Sequence, residues 1–461
     1  MIEPTSQRRW LAELAWSPAS GLRTDVLIEA DGDRLTGITP DVQAPTPAAI
    51  RLPGLTMPGL ANGHSHAFHR ALRGITQASR GTFWTWRERM YQVADRLDPD
   101  SYLALATAVY AEMALAGVSS VGEFHYLHHA PGGTPYADPN EMGRLLIEAA
   151  CRAGIRITLL DTCYLAGGLA ADGRHQPLEG PQLRFGDADA QAWASRVEAL
   201  SPDAGGRLGP SARAGAAIHS VRAVPADQMH GVVAWAQRYG APVHAHVSEQ
   251  VAENRACLAA YRATPTEVLS DAGALGPRGT AVHATHLTGR DVELLGGGRC
   301  HVCLCPTTEA DLADGIGPAR DLADAGAMLT VGSDSHAVID LLEDARRVEL
   351  GERLASQERG HFTAMELATA ATESGHASIG WPEAGELAAG ALADFVTIAL
   401  DTPRTAGATQ ATALESAMFS ATAADVRSLV VGGRDIVTDG RHLLVPDVAG
   451  ELSAAIAAVL R

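Results

Sequence analysis

Six residues of this chain have the types and positions from which metal-assisted hydrolysis is built: His64, His66, His246, Glu249, His283 and Asp334. His64 and His66 close the string Pro58-Gly59-Leu60-Ala61-Asn62-Gly63-His64-Ser65-His66. Side chains two apart on an extended chain point the same way, so both imidazoles can reach one ion. His246 ends Pro242-Val243-His244-Ala245-His246, and Glu249 follows three residues later. His283 ends another apolar run, and Asp334 sits in Val331-Gly332-Ser333-Asp334-Ser335-His336. A lone His-x-His is weak evidence, because core and surface histidines are commoner than ligands. The weight comes from four separate apolar runs, each ending on a residue of metal-ligating or acid–base type. Three imidazoles and one carboxylate are a borderline nitrogen-and-oxygen set suited to Zn²⁺ or a similar divalent ion. An ion so held lowers the pKa of bound water toward ~7. Glu249, beside the set and not needed in it, is the candidate for moving the water's proton to a leaving nitrogen.

The elements that must position these residues are legible as short apolar runs alternating with longer helical stretches. The runs are Thr56–Ala61, Val118–Phe124, Ile155–Leu160, Ala214–His219, Pro242–Val247, Thr280–His283, His301–Leu304 and Ala327–Val331. Between them lie helix patterns such as Ser101–Ala116, Asn140–Ala153, Pro225–Tyr239 and Pro265–Ala272. Eight βα repeats predict an α/β fold, a (β/α)₈ barrel over residues 57–386, with a doubly wound sheet as the alternative. The barrel is favoured because the reactive residues gather at the strand C-termini, the face where barrel enzymes do chemistry. Residues 1–56 and 387–461 carry short β pieces, including Thr24–Glu29, Asp394–Ile398 and Ser428–Arg434, around a Pro- and Ala-rich segment at 43–49. These predict one small β-sandwich built from both termini, closed by a helix over Ala449–Leu460.

Composition narrows the function classes. The 36 basic residues are all arginine and stand against 54 acidic ones, a net charge of −18. The surplus of acid argues against nucleic-acid and membrane-surface partners. Without lysine there is no lysine Schiff base, no P-loop lysine and no carboxylated-lysine bridge between two metals, so a single ion is the simpler reading. Six cysteines in 461 residues form no disulfide framework. Cys300-His301-Val302-Cys303-Leu304-Cys305 reads as a strand with core thiols. The opening residues, with Glu3 and Glu13, lack the apolar core of a signal peptide, and the most apolar stretch, Ala104–Gly122, carries Glu112. A cytoplasmic protein is expected.

The strings around these residues resemble the amidohydrolase superfamily, in its deaminase branch. They are Pro58-Gly59-Leu60 leading to His64-Ser65-His66, His246-Val247-Ser248-Glu249, His283, and Gly332-Ser333-Asp334. Gly390-Ala391-Leu392-Ala393-Asp394-Phe395-Val396 is similar to that superfamily's return into its β-sandwich, so the likeness spans nearly the whole chain. Within the branch, four longer strings resemble the group that deaminates N-formimidoyl-L-glutamate in histidine degradation. These are His64-Ser65-His66-Ala67-Phe68, Phe83-Trp84-Thr85-Trp86-Arg87-Glu88, Glu123-Phe124-His125-Tyr126-Leu127-His128-His129 and His219-Ser220-Val221-Arg222. The resemblance implies metal ligands His64, His66, His246 and Asp334, and one divalent ion, Zn²⁺ first. It implies catalysis by Glu249, His283 and Asp334, and substrate contacts from Arg87, Tyr126, Arg222 and His219. His69 stands where the group carries glutamine, at a position that belongs to the substrate pocket. A homodimer is also implied, with the Trp-bearing segment near Phe83 as a possible contact.

Charge supplies an independent check on the substrate. A dicarboxylate entering a protein of net charge −18 needs placed cations, and the guanidinium fork of Arg87 and Arg222 grips carboxylates bidentately. A deaminase of guanine, a modified adenosine or a triazine would want a flatter apolar pocket. An amide-ring hydrolase would share the metal without releasing ammonia, and a metal-binding scaffold would have no use for Glu249. His125, His128 and His129 read as residues orienting the site, His244 as a core histidine one layer deeper, and His336 as a neighbour of the ligands.

Overall fold

The computed structural model describes residues 7–43, 48–78, 80–200 and 207–461. Residues 1–6 of the opening stretch and 44–47 of the Pro- and Ala-rich segment lie outside them. The terminal segments form one eight-stranded sheet. Its first half is β1 (Arg8–Ser17), β2 (Gly21–Asp31), β3 (Arg34–Thr39) and β4 (Ile50–Pro58). The chain then leaves for the barrel, whose eight parallel strands are β5 (Leu60–Ser65), β6 (Val118–His125), β7 (Arg156–Cys163), β8 (Ala212–Ile218), β9 (Val243–Val247), β10 (Gly279–His283), β11 (His301–Leu304) and β12 (Met328–Val331). It returns to the terminal sheet as β13 (Phe395–Ile398), β14 (Val426–Val431), β15 (Arg434–Thr438) and β16 (Arg441–His442). The order in that sheet is β16-β15-β14-β13-β4-β1-β2-β3, so β4 and β13, distant in sequence, are neighbours at its centre. Its inner face buries Trp10 edge-on to Phe395, with Val26, Ile28 and Leu35 around them.

Each predicted barrel run becomes a strand, and β6, β7, β9, β10 and β11 are buried along their whole length. That is why they read as continuous apolar runs without alternation. The first run is the exception. Thr56–Ala61 divides at Gly59: residues up to Pro58 pair with β1 and β13, and Leu60 begins the barrel beside Val118. A Cβ at Gly59 would meet Ser119 Oγ at 2.3 Å, so only glycine lets the chain cross between the two sheets there. The barrel closes between its last and first strands. Ser65 bridges Asp334 in parallel, Asp334 N donates to the His64 carbonyl at 3.0 Å, and His66 N donates to the Asp334 carbonyl at 3.3 Å.

Helices cover the barrel. The helix Pro99–Leu115 starts on Asp98, whose carboxylate accepts from Ser101 N at 2.8 Å, with Pro99 preset for the first turn. It packs against the helix Glu141–Ala153 and the C-terminal helix Val448–Leu460. Terminal sheet and barrel are pinned by a buried ion pair: Arg156 on β7 donates to both oxygens of Asp394, at 2.6 and 3.0 Å. Gly432 N donates to the same carboxylate at 2.6 Å. Asp394→Ala leaves that guanidinium buried and uncompensated, and is expected to lower unfolding free energy by about 3–5 kcal/mol in a urea titration.

Candidate active site

The site is built at the C-terminal ends of β5, β9, β10 and β12, where the backbone bends sharply to aim side chains over the barrel mouth. Ser248, His283, Ala284, Asp334 and His336 all have positive φ, between 41° and 68°. Such conformations cost energy in non-glycine residues and gather where surrounding structure enforces a functional arrangement. Gly332 makes the seam possible, since a Cβ there would lie 2.9 Å from both backbone and side-chain atoms of His64.

The imidazoles converge as the strand geometry requires. His64 Nε2 lies 3.1 Å from His66 Nε2 and 3.1 Å from His246 Nε2. Asp334 Oδ1 is 3.5 Å from His64 Nε2 and 3.4 Å from His66 Nε2. On their far sides, His66 Nδ1 donates to the Phe124 carbonyl at 2.9 Å, and His246 Nδ1 donates to the His219 carbonyl at 2.8 Å. Those bonds place the ring proton on Nδ1 and leave bare lone pairs on the two Nε2 atoms. Burial lowers all three rings below the ordinary histidine range, His66 to about 3 with only partial opposition from its Phe124 bond. Neutral imidazoles with lone pairs aimed at one point, beside a carboxylate, are the donor set of a divalent-ion site, and the residues present fit such an ion.

Around that point stand the residues expected to move protons, Asp334, His283 and Glu249. Burial lifts Asp334 to about 7, with Glu249 adding to the rise and His283 opposing it. His283 Nε2 faces Asp334 Oδ2 at 3.8 Å and Glu249 Oε1 at 4.0 Å. Its Nδ1 donates to Glu309 Oε1 at 3.3 Å, and Cys305 N donates to the same oxygen at 2.8 Å. Burial alone would lower His283, but the Glu309 bond and the Glu249 and Asp334 charges outweigh it and raise it to about 10. Glu249 Oε2 accepts from Arg222 Nη2 at 2.6 Å, and Glu253 Oε2 lies 3.6 Å from Arg222 Nε. Arg222 therefore lies beside Glu249 and is already engaged by it.

The opposite wall is cationic and aromatic. Arg87 rises from α1 (Phe83–Arg96), half-buried, with Nη2 donating to the Tyr164 hydroxyl at 3.4 Å and the Gly167 carbonyl at 3.3 Å. Among the described residues no carboxylate pairs with it. Arg87 and Arg222 are both close enough to His219 to disfavour a charge on it, after burial, the larger cause. The Tyr126 hydroxyl and His69 Nε2 are 2.8 Å apart, and His69 also packs edge-on to Trp86. Trp86 thus borders the site, whereas Trp84 is exposed. All the predicted site residues meet at one barrel mouth. The sequence reading missed Glu309, the tether of His283, and grouped Glu123 only with the histidines that follow it; Glu123 takes Ser65 Oγ at 2.6 Å and Ala67 N at 2.7 Å and so fixes the His64–His66 turn. No pattern in the sequence singles out Glu309, an acid four residues past Cys305 in a polar stretch.

The neighbouring histidines act as supports. His125 Nε2 meets His128 Nδ1 at 3.3 Å, and His128 Nε2 donates to the Thr162 carbonyl at 3.0 Å. Asp161 lies beside them, but Arg196 grips both its oxygens at 2.9 Å and the Trp193 indole donates to it at 3.0 Å. His244 Nε2 donates to the Ser378 carbonyl at 2.9 Å, and His336 bridges Ser65 and Ser333. Burial pushes Asp161 up, but Arg196 outweighs it and holds the carboxyl at about 2. Its folded value lies below its unfolded value of about 3.9. The pair's stabilisation is therefore complete above pH ~4 and is lost as pH falls through that window toward 2. Asp161→Asn is expected to flatten this acid limb in unfolding midpoints measured between pH 2 and 5.

A (β/α)₈ barrel with a histidine–aspartate cluster at its C-terminal mouth defines a hydrolase of the metal-centred barrel class. The chain belongs to the amidohydrolase family, whose pattern matches residues 55–436. It is 37% identical over 427 residues to the formimidoylglutamate deiminase of Pseudomonas aeruginosa, covering 90% of this chain and 91% of that one. It is 28% identical over 446 residues to the 8-oxoguanine deaminase of the same organism, covering 94% of each. An amidohydrolase crystal structure from Brucella melitensis superposes with a TM-score of 0.89 at 32% identity, over 98% of this chain and 100% of that one. The protein is a hydrolase acting on C–N bonds, of the deaminase kind. Among the described residues no helix is long and apolar enough to cross a membrane.

Proposed function

We propose that the protein hydrolyses N-formimidoyl-L-glutamate to N-formyl-L-glutamate and ammonia. The observation that carries this reading is the charge layout of the mouth: Arg87 is a cation without a carboxylate partner among the described residues, and Arg222 is a second cation, shared with Glu249. Glu249, which holds Arg222 through Oε2, and Asp334 stand beside His283 at the histidine cluster. A substrate with two carboxylates and a cationic amidine fits that polarity, and the likeness to the Pseudomonas deiminase supports it. The two guanidiniums take the carboxylates, and Tyr126, His69 and His219 complete the anion side. Held by His64, His66, His246 and Asp334, a divalent ion, Zn²⁺ in this reading, supplies Lewis acidity and an acidified water when bound.

The chain's own groups carry the protons. A C–O bond forms from water to the formimidoyl carbon, and the C–N bond to the terminal nitrogen breaks. Glu249 Oε1 takes a proton from the water and delivers it to that nitrogen, which leaves as ammonia. His283, kept doubly protonated by Glu309, points Nε2–H toward the developing negative charge. Asp334 accepts the second proton of the water. The test follows the formimidoyl carbon by ¹³C NMR with an ammonia assay. One formyl group and one ammonia per substrate are expected. Formamide with free glutamate would mean cleavage of the other C–N bond and would overturn the reading. A homodimer is part of the same proposal, and a solution mass of one chain would exclude it.

A further inference from the structure

Asp314 has no part in the chemistry above, yet it is only 4% exposed and adjoins it on two sides. Its backbone N donates to the Glu309 carbonyl at 2.9 Å, next to the tether of His283. Its Oδ1 accepts from the side-chain amide of Gln250, the residue after Glu249. The loop that carries it lies on the end of β10: a Cβ at Gly315 would sit 3.3 Å from Thr285 and 3.5 Å from His286, and one at Gly317 would sit 3.3 Å from the Ala284 carbonyl. The second carboxylate oxygen, Oδ2, is fully buried and has no hydrogen-bond partner.

A buried carboxylate oxygen without a donor is costly unless a ligand supplies one. Its surroundings select the ligand's sign. Glu249, Glu309 and Asp334 all act on Asp314 as like charges, with His283 the one opposing group. Burial first, then Glu249, lifts Asp314 to about 8, so near neutral pH the group is fully charged only with a cation beside it. Another anion cannot enter here, whereas a small cation with N–H donors satisfies the open oxygen and relieves the crowding of acids.

Resting on the function proposed above, we infer that Asp314, steadied by Gln250, is a specificity residue that binds the cationic amidine nitrogen destined to leave. Its Oδ2 accepts an N–H of the amidinium in the substrate and of ammonium in the product. The mouth is then a three-part reader: guanidiniums for the carboxylates, the histidine–aspartate cluster for the reacting carbon, and Asp314 for the cationic end. A purine or triazine presents a neutral ring amidine to the same position and gains nothing from Asp314.

The test compares zinc-loaded wild type with Asp314→Asn, which keeps an oxygen for Gln250 and removes the charge, and with Asp314→Ser as a second neutral variant. Acetamidinium and glutarate serve as separate inhibitors of N-formimidoyl-L-glutamate turnover. Acetamidinium is expected to compete in wild type and to lose about 10- to 100-fold in affinity in both variants, while glutarate, held at the arginine wall, is unchanged. KM should rise by a similar factor with a smaller change in kcat. Equal acetamidinium affinity in wild type and variants would overturn the inference, as would an equal loss of both inhibitors. If wild type fails to turn over N-formimidoyl-L-glutamate, the proposed function falls. Protection of wild type but not of the variants by acetamidinium in a thermal melt still decides the role of Asp314.

Discussion

Glu249→Gln is expected to lower kcat/KM for N-formimidoyl-L-glutamate by about a thousandfold, within the range that general acid–base groups contribute, while metal content stays at the wild-type value. The amide is nearly isosteric, and its oxygen can still accept from Arg222, which lies 2.6 Å from Glu249 Oε2 in the native site. The pocket should therefore keep its shape and lose only the atom that carries the proton. Most of the loss is expected in kcat, since Arg87 is untouched and Arg222 keeps an oxygen to donate to. Steady-state kinetics beside elemental analysis of the same preparation checks both halves. An active Glu249→Gln enzyme would move the proton transfer to Asp334 or His283.

His246→Ala is expected to abolish stoichiometric metal binding, and activity with it. His246 Nε2 stands 3.1 Å from His64 Nε2, and its ring is aimed by the bond from Nδ1 to the His219 carbonyl. Truncation removes one of three nitrogen donors and leaves that carbonyl without its partner. The readout independent of turnover is thermal. Zinc added to metal-stripped wild type at a thousandfold excess over its dissociation constant should stabilise the fold by about 4 kcal/mol, by mass action on the native state. The same addition to His246→Ala should leave the unfolding midpoint in place. An equal rise in both proteins would place the ion elsewhere, with the His125–His128–Asp161 group the next to be tested.

The barrel was legible because its strands are buried on both faces and end on reactive residues, so apolar runs and histidines coincide at 64–66, 246 and 283. Where a strand changes partners the same signal misleads: Thr56–Ala61 looks like one run but belongs to two sheets, because periodicity carries no information about which neighbour supplies hydrogen bonds. The order of the terminal sheet, with β4 beside β13, was hidden for the same reason. At the site, residues at or just past strand ends announced themselves, and acids farther along the following helix or loop did not. Glu309 and Asp314 lie within Pro306–Gly315, where an acid on a helix or loop reads as solvent-exposed until the fold buries it. The contact between Arg222 and Glu249 joins the ends of two different strands, and the spacing of the two residues in the chain gives no sign of it.

The central claim is that the mouth reads a cationic amidine flanked by carboxylates. It is tested most directly by kcat/KM of the zinc-loaded protein, from ammonia release, on N-formimidoyl-L-glutamate, 8-oxoguanine and 5′-methylthioadenosine under one set of conditions. The polarity of the site predicts a preference for the first of about ten-thousandfold, because Arg87, Arg222 and Asp314 would lose the partners proposed for them with either purine. Faster ammonia release from a purine would contradict the account. The hydrolytic centre would then stand, and Arg87 and Arg222 would become supports of the pocket wall.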